Sequence, residues 1–364
     1  MNASQRTGRR GPLIAVLVVV GLLAAGCGSV ANPQGWAAPV VRDEIVFVSS
    51  DAGKLGAYQT SGSARLWEFP GKDADLKLEG IYGTPDLEND TIYLTGYNGS
   101  VAAVAASDGS ERWRHKAGDR VIGAPMLLGD TVYMGTDGGD LVALDRTTGN
   151  ERWRVQAGNQ IWSTPVTDGT SIFIASMDGA VTAFNPDGSQ RWRTKIAGGA
   201  IAGTPALVEN ILYVSSFDRH LYALDAGTGE PKWESDAAEN WFWTEPLVDG
   251  DTVLAGSLDG HVYALDRQTG AQRWRATVES PVRARLAVAN GVVVVPTDDG
   301  RLWGLQRASG DPAWQPVVVG GRLTSDLTTA PSGMYLAAEV GKKSHRLYRV
   351  NAAAGSVSEI PLVK

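Results

Sequence analysis

The sequence predicts an all-β protein, a single eight-bladed β-propeller of four-stranded antiparallel blades standing behind a short export signal. Three observations predict it. Tryptophans recur about every 40 residues, a glycine turn stands four residues ahead of the best-preserved of them, and no stretch after residue 26 repeats its apolar side chains with a sustained helical period.

The N-terminus comes first. Arg6, Arg9 and Arg10 precede an unbroken apolar run from Leu13 to Ala25, the layout of a secretory signal. This run falls short of the roughly 18 to 20 residues that a membrane-crossing helix needs. Leu22-Leu23-Ala24-Ala25-Gly26-Cys27 resembles a bacterial lipobox, with Ala24 where leucine is usual. Cys27 is the only cysteine, so no intramolecular disulfide can form, and lipid attachment explains one thiol at a mature N-terminus. The expected division is a signal peptide over residues 1–26, a lipidated tether over 27–35 and one propeller over 36–364.

Removing residues 1–26 takes three arginines and no acid from the 33 basic and 40 acidic residues, leaving a formal charge near −10. Such a surface disfavours nucleic acid as a partner.

The propeller rests on the repeat. Tryptophans stand at Trp67, Trp113, Trp153, Trp192, Trp233, Trp274 and Trp314, separated by 46, 40, 39, 41, 41 and 40 residues. A second signature lies about 28 residues ahead of each: Ala38-Pro39, Thr84-Pro85, Ala124-Pro125, Thr164-Pro165, Thr204-Pro205 and Glu245-Pro246. Leu286 and Leu327 take the proline slot in two degenerate copies, and Glu359 takes the last tryptophan slot. Eight copies of about 41 residues fill 36 to 364. Within one copy, Thr131 to Gly135 reads as a strand, Asp137-Gly138-Gly139 as a turn, Leu141 to Asp145 as a strand, Thr147-Thr148-Gly149 as a turn and Arg152 to Val155 as a strand. A lone four-stranded sheet cannot bury both faces; radial repetition lets each blade cover its neighbour.

The string Ala-x-Asp-x-x-Thr-Gly-x-x-x-Trp, complete at Ala143–Trp153, Ala223–Trp233 and Ala264–Trp274, resembles the tryptophan-docking motif of the quinoprotein-like (PQQ-like repeat) propellers. The glycine suits a turn of positive φ, the aspartate can bond to turn amides, and the indole packs between blades. Over the whole mature chain the resemblance is to the outer-membrane assembly lipoproteins of the BamB family. It implies a non-catalytic, lipid-anchored scaffold of the cell envelope, on the outer membrane facing the periplasm or on the outer face of the cytoplasmic membrane. Its partners would be envelope proteins, its propeller monomeric, and it would hold no cofactor.

An enzyme reading is the alternative. Quinoprotein dehydrogenases need a pyrroloquinoline quinone, a calcium ion and a catalytic aspartate, and many stack the quinone on a disulfide that one cysteine cannot make. The four histidines, His115, His220, His261 and His345, lack metal-ligand spacing, and the Asp-Gly turns lack the alternating acids of a calcium loop. In a bacterium with one membrane, binding of an envelope protein or glycan at the surface is a third reading.

Positions that differ where the architecture does not demand it mark the candidate binding surface. Three residues before the proline slot stand Trp36, Tyr82, Ile122, Trp162, Ala202, Trp243, Arg283 and Thr324, expected on the innermost strands around the axis. One residue before the slot, Glu245, Arg285 and Asp326 replace a small alanine or threonine. Trp241-Phe242-Trp243 beside Glu245 is the densest aromatic cluster, and aromatics joined to charge at a rim suit partner capture. No catalytic or metal-binding residue is assigned.

Overall fold

The computed structural model describes residues 37–50, 53–61, 64–72, 76, 78–339 and 345–362; Cys27 and Trp36 lie outside them. Among the described residues thirty-two strands form eight four-stranded antiparallel sheets, each following chain order from the axis outward. Blade 1 runs from Val40–Arg42 to Arg65–Phe69 and blade 8 from Thr328–Ala330 to Ser356–Ile360. The eight-bladed all-β expectation holds.

Burial explains the pattern of each blade. In blade 2 the second and third strands, Thr91–Thr95 and Ser100–Ala105, are buried along their whole length because neighbouring blades cover both faces. The outermost strand, Glu111–Lys116, exposes charged side chains and turns Trp113 inward. Apolar residues therefore collect between blades, one cluster per interface, as with Leu254, Val262 and Trp274 of blade 6 against Val293, Val295 and Leu305 of blade 7.

The tryptophans hook each blade to the next. Nε1 of Trp113 donates to the Arg146 carbonyl at 2.8 Å, that of Trp233 to Arg267 at 2.9 Å and that of Trp274 to Arg307 at 3.1 Å; Trp67, Trp153, Trp192 and Trp314 repeat the bond. Each ring also lies flat on the turn glycine of the following blade. A Cβ on Gly310, which sits at φ +77°, would come within 2.6 Å of Trp274. The turn itself is held by the aspartate: Asp145 accepts the amides of Thr147 and Thr148 at 3.0 and 2.9 Å, and Asp266 those of Gln268 and Thr269.

A β-bulge between the third and outermost strands turns each indole toward the next blade; in blade 6 it falls between Ala264 and Leu265. Blade 8 has no bulge there, so Ser358 and not Glu359 lies opposite Arg349, the residue in the alanine slot. Glu359 pairs instead with Arg346 at 3.2 Å. The ring closes without sharing strands between its ends. Thr328 Oγ1 donates to the Pro39 carbonyl at 2.5 Å, Ser325 Oγ to that of Ala37 at 3.3 Å, and Ile360, Leu347 and Tyr335 pack on Val46, Val48 and Tyr58.

Candidate functional site

The antiparallel meander places the turns between second and third strands, and the segments leading from one blade into the next, on a single face. Tyr82, Ile122, Trp162, Ala202, Trp243, Arg283 and Thr324 lie on these lead-in segments and line a central cavity of about 560 Å³. They stand just ahead of the innermost strands and not within them: in blade 6 that strand begins at Leu247, four residues past Trp243. The lead-in segments overlap like shingles. A Cβ on Gly83 would lie 2.3 Å from the Ala124 amide nitrogen, and one on Gly123 2.5 Å from the Ser163 carbonyl.

One step further inward a ring of side-chain oxygens ties neighbouring segments. Thr84 accepts the amide of Ala38 at 3.1 Å, Thr164 that of Ala124 at 2.9 Å and Thr204 that of Thr164 at 3.0 Å. Asp326 does the same for Arg285 at 2.7 Å. Its acceptor is architectural; its charge is not, because a hydroxyl serves in three other blades.

The position fifteen residues after the lead-in residues from Tyr82 to Arg283 forms a second ring, of Tyr97, Asp137, Met177, Phe217, Leu258 and Asp298. Their amides are pinned to lead-in carbonyls, Asp137 to Arg120 at 2.8 Å and Phe217 to Ala200 at 2.9 Å. These residues escaped the sequence reading because they share no chemistry, only an offset.

Together the two rings build the mouth. Phe217 is sandwiched between Trp241, at 4.7 Å between centroids and nearly parallel, and Trp243, at 5.1 Å. The Arg283 guanidinium caps the other side of Trp243 at 5.2 Å and donates to Asp298 at 2.7 Å, which Arg322 also reaches at 3.2 Å. Trp241 remains 37% exposed. Phe242, expected in this cluster, instead turns into the interface of blades 5 and 6 against Tyr263. Across the face, Tyr82 packs on Tyr97 at 5.2 Å, and Trp162 Nε1 donates to Asp137 at 2.8 Å, a carboxylate also paired with Arg120 at 2.7 Å.

Deeper in the channel Glu245, Arg285 and Asp326 form a charged trio. Arg285 reaches Glu245 at 3.1 Å. Burial pushes the Glu245 carboxyl up to about 7; Arg285 opposes the rise and the Asp326 charge adds to it. Burial also raises Asp326, against the Arg285 amide and charge. Nε of Arg285, shielded from solvent, donates to no partner among the described residues.

Among the described residues no group of three His, Cys, Asp or Glu side chains is placed to hold a metal. His261 sits beside Asp259 at 3.2 Å and Arg275 at 2.9 Å, in a turn that Asp259 also ties to Tyr263.

A family model described as the outer membrane protein assembly factor BamB matches residues 25–160, 155–242 and 238–361. The chain belongs to this family. The BamB of Shewanella oneidensis is 32% identical over 75 residues, 21% of this chain and 19% of that protein, so the matched stretch spans about a fifth of that curated relative. The crystal structure of BamB from Moraxella catarrhalis superposes with a TM-score of 0.71 at 22% identity, covering 89% of this chain and 93% of that one. The quinohemoprotein alcohol dehydrogenase of Comamonas testosteroni reaches 0.70 at 16% identity, over 86% of this chain and 72% of its own. These two likenesses establish a propeller fold that BamB shares with dehydrogenases.

Proposed function

We propose that the chain is a non-catalytic binding scaffold of the cell envelope, held at a membrane by a lipid on Cys27, whose channel mouth captures protein partners during outer-membrane protein assembly. Membership of the BamB family supports the scaffold class. The observation that carries the mouth is the stack of Trp241, Phe217, Trp243 and Arg283. The repeat does not require it, because the position of Trp241 holds Gly80, Arg120, Gln160, Ala200 and Pro281 in other blades. An exposed indole braced by a second ring loses little conformational freedom on binding, which is the physics of an interface anchor.

The dehydrogenase likeness invites a quinone held by calcium, and the channel does not fit one. Of its two lining carboxylates, Glu245 pairs with the Arg285 guanidinium and Asp326 accepts the Arg285 amide, with no third acid or histidine beside them among the described residues.

Two experiments test the reading. Cys27→Ser should move the chain from the membrane fraction to the soluble one; an unchanged membrane share would contradict the lipid anchor. A photo-crosslinking side chain at position 241 should trap an envelope protein in intact cells. The same side chain at position 268, an exposed turn of that blade on the opposite face, should not. Equal trapping at both positions would refute the mouth as the binding face.

A further inference from the structure

The three charges deep in the channel stand at the one position where the repeat otherwise holds alanine or threonine, in three consecutive blades. Thr84, Thr164 and Thr204 show that tying the segments needs only a neutral acceptor. The charges are therefore additions to the architecture, and costly ones, because carboxylates poorly reached by water are destabilised unless paired. The pairing is incomplete. Two acids face one base, leaving one negative charge over when all three ionise, and Arg285 keeps an idle buried Nε.

The cavity above the trio is of ligand size and its walls already accept a cation. Arg283 stands over the Trp243 ring within it, 5.2 Å from the centroid, its charge met by Asp298. Trp162 also lines the cavity, two blades round from Trp243.

We infer that the channel binds a primary ammonium or guanidinium group, which enters past the aromatic walls and pairs with the carboxylates of Glu245 and Asp326. This rests on reading the channel face as a binding face and names the chemistry it recognises. The ligand charge completes the trio: the added cation joins Arg285 against two carboxylates, and the set becomes neutral. A free amine and a lysine or arginine side chain on a partner carry the same group.

Binding is linked to a proton. The groups facing Glu245 are Arg285 and Asp326, with Arg283 nearer the mouth and already engaged by Asp298. The cation requires Glu245 ionised, so affinity rises with pH through the region near 7, by about tenfold from pH 6 to pH 8. Alkyl amines stay protonated over that range and contribute nothing to the change.

Calorimetric titration of the mature chain with cadaverine, with a blocked short peptide bearing one lysine, with 1,5-pentanediol and with glutarate decides the matter. Cadaverine or the peptide is expected to bind, about tenfold more tightly at pH 8 than at pH 6, and the diol and glutarate to give no heat. Binding of cadaverine assigns a site open to free amines; binding of the peptide alone assigns a partner's side chain. Glu245→Gln should weaken binding at least tenfold and flatten its pH dependence, and Glu245→Asp should restore both. Failure of both cations to bind, glutarate binding as well as they do, or unaltered affinity in Glu245→Gln overturns the proposal. Any of these, found while position 241 still crosslinks a partner, leaves the scaffold reading standing; cation binding without crosslinking does the reverse.

Discussion

Replacing Trp274 by alanine is expected to destabilise the propeller by about 3 to 5 kcal/mol, the range for truncating a large buried aromatic. Trp274 is 8% exposed, fills the interface of blades 6 and 7, and bonds to the Arg307 carbonyl in the turn of blade 7. The loss has two parts: a cavity between two sheets, and a carbonyl left without its donor. The neighbouring glycine gives a sharper test of the docking geometry. Gly310→Ala should cost about 1 to 2 kcal/mol for holding a Cβ-bearing residue at positive φ, and more because that Cβ meets the Trp274 ring at 2.6 Å. In the Trp274→Ala background the clash vanishes, so the two substitutions should couple by roughly 1 kcal/mol or more in a double-mutant cycle measured by urea denaturation. Strict additivity would mean that the indole does not rest on this turn.

Arg285→Ala should give the second-largest loss, and its pH dependence identifies the cause. The guanidinium is the one positive charge beside Glu245 and Asp326, and removing one member of a buried ion set costs about 3 to 5 kcal/mol. Arg285 is 39% exposed and Glu245 24%. Water therefore screens part of the effect, and about 2 kcal/mol at pH 8 is the appropriate size. Both carboxyls already stand above their usual range in the folded chain, and removing Arg285 lifts them further. A carboxyl raised by folding holds its proton longer in the native state than in the unfolded one. Its contribution to stability is fully present below the unfolded pKa and is lost as pH climbs through the folded value. The wild-type chain accordingly loses part of its stability between about pH 4.5 and 7 on account of Glu245. The deficit of the variant should be smaller at pH 5, where Glu245 is neutral, than at pH 8, where it is ionised. Urea midpoints at the two values measure it, and an equal deficit at both would show that Arg285 acts through packing.

The ring was legible because its structural demands recur in the sequence. Seven tryptophans at near-constant spacing and glycines at a fixed offset are what an interface repeated around an axis imposes. The partner of each tryptophan was not legible. Gly270 and Trp274 are neighbours in the motif, yet the glycine receives Trp233 from the blade before, and Trp274 rests on Gly310 of the blade after. Closure was hidden for a similar reason: Thr328 meets Pro39 through contacts that no local pattern records. The slot assigned to Glu359 shifted by one because a bulge is a property of pairing, not of spacing.

Of the candidate site, the lead-in positions were readable as deviations from the repeat, although they lie ahead of the strands that were expected to carry them. Trp241 and Trp243 were singled out, but the ring that joins them is Phe217, from another blade, and not the intervening Phe242. The alternation of a short extended segment explains the exchange: side chains flanking Phe242 face the mouth, so its own faces the core. The pairing of Arg283 with Asp298, and of Trp162 with Asp137, depends on the second ring and could be anticipated only by following one offset through every copy.

The claim that the mouth is the partner-binding face is tested most directly by substituting Trp241→Ala and Trp243→Ala together. Recovery of envelope proteins with the tagged, membrane-bound chain is then measured against the wild-type. The pair removes the exposed anchor and the second indole stacked on Phe217 without touching a docking tryptophan, so circular dichroism and the urea midpoint should stay close to wild-type values. Truncating interface anchors typically costs 2 kcal/mol or more in binding, so recovery of the partner that crosslinks at position 241 should fall by roughly tenfold or more. Recovery equal to wild-type from a variant that is folded and membrane-bound would contradict the mouth as the binding face.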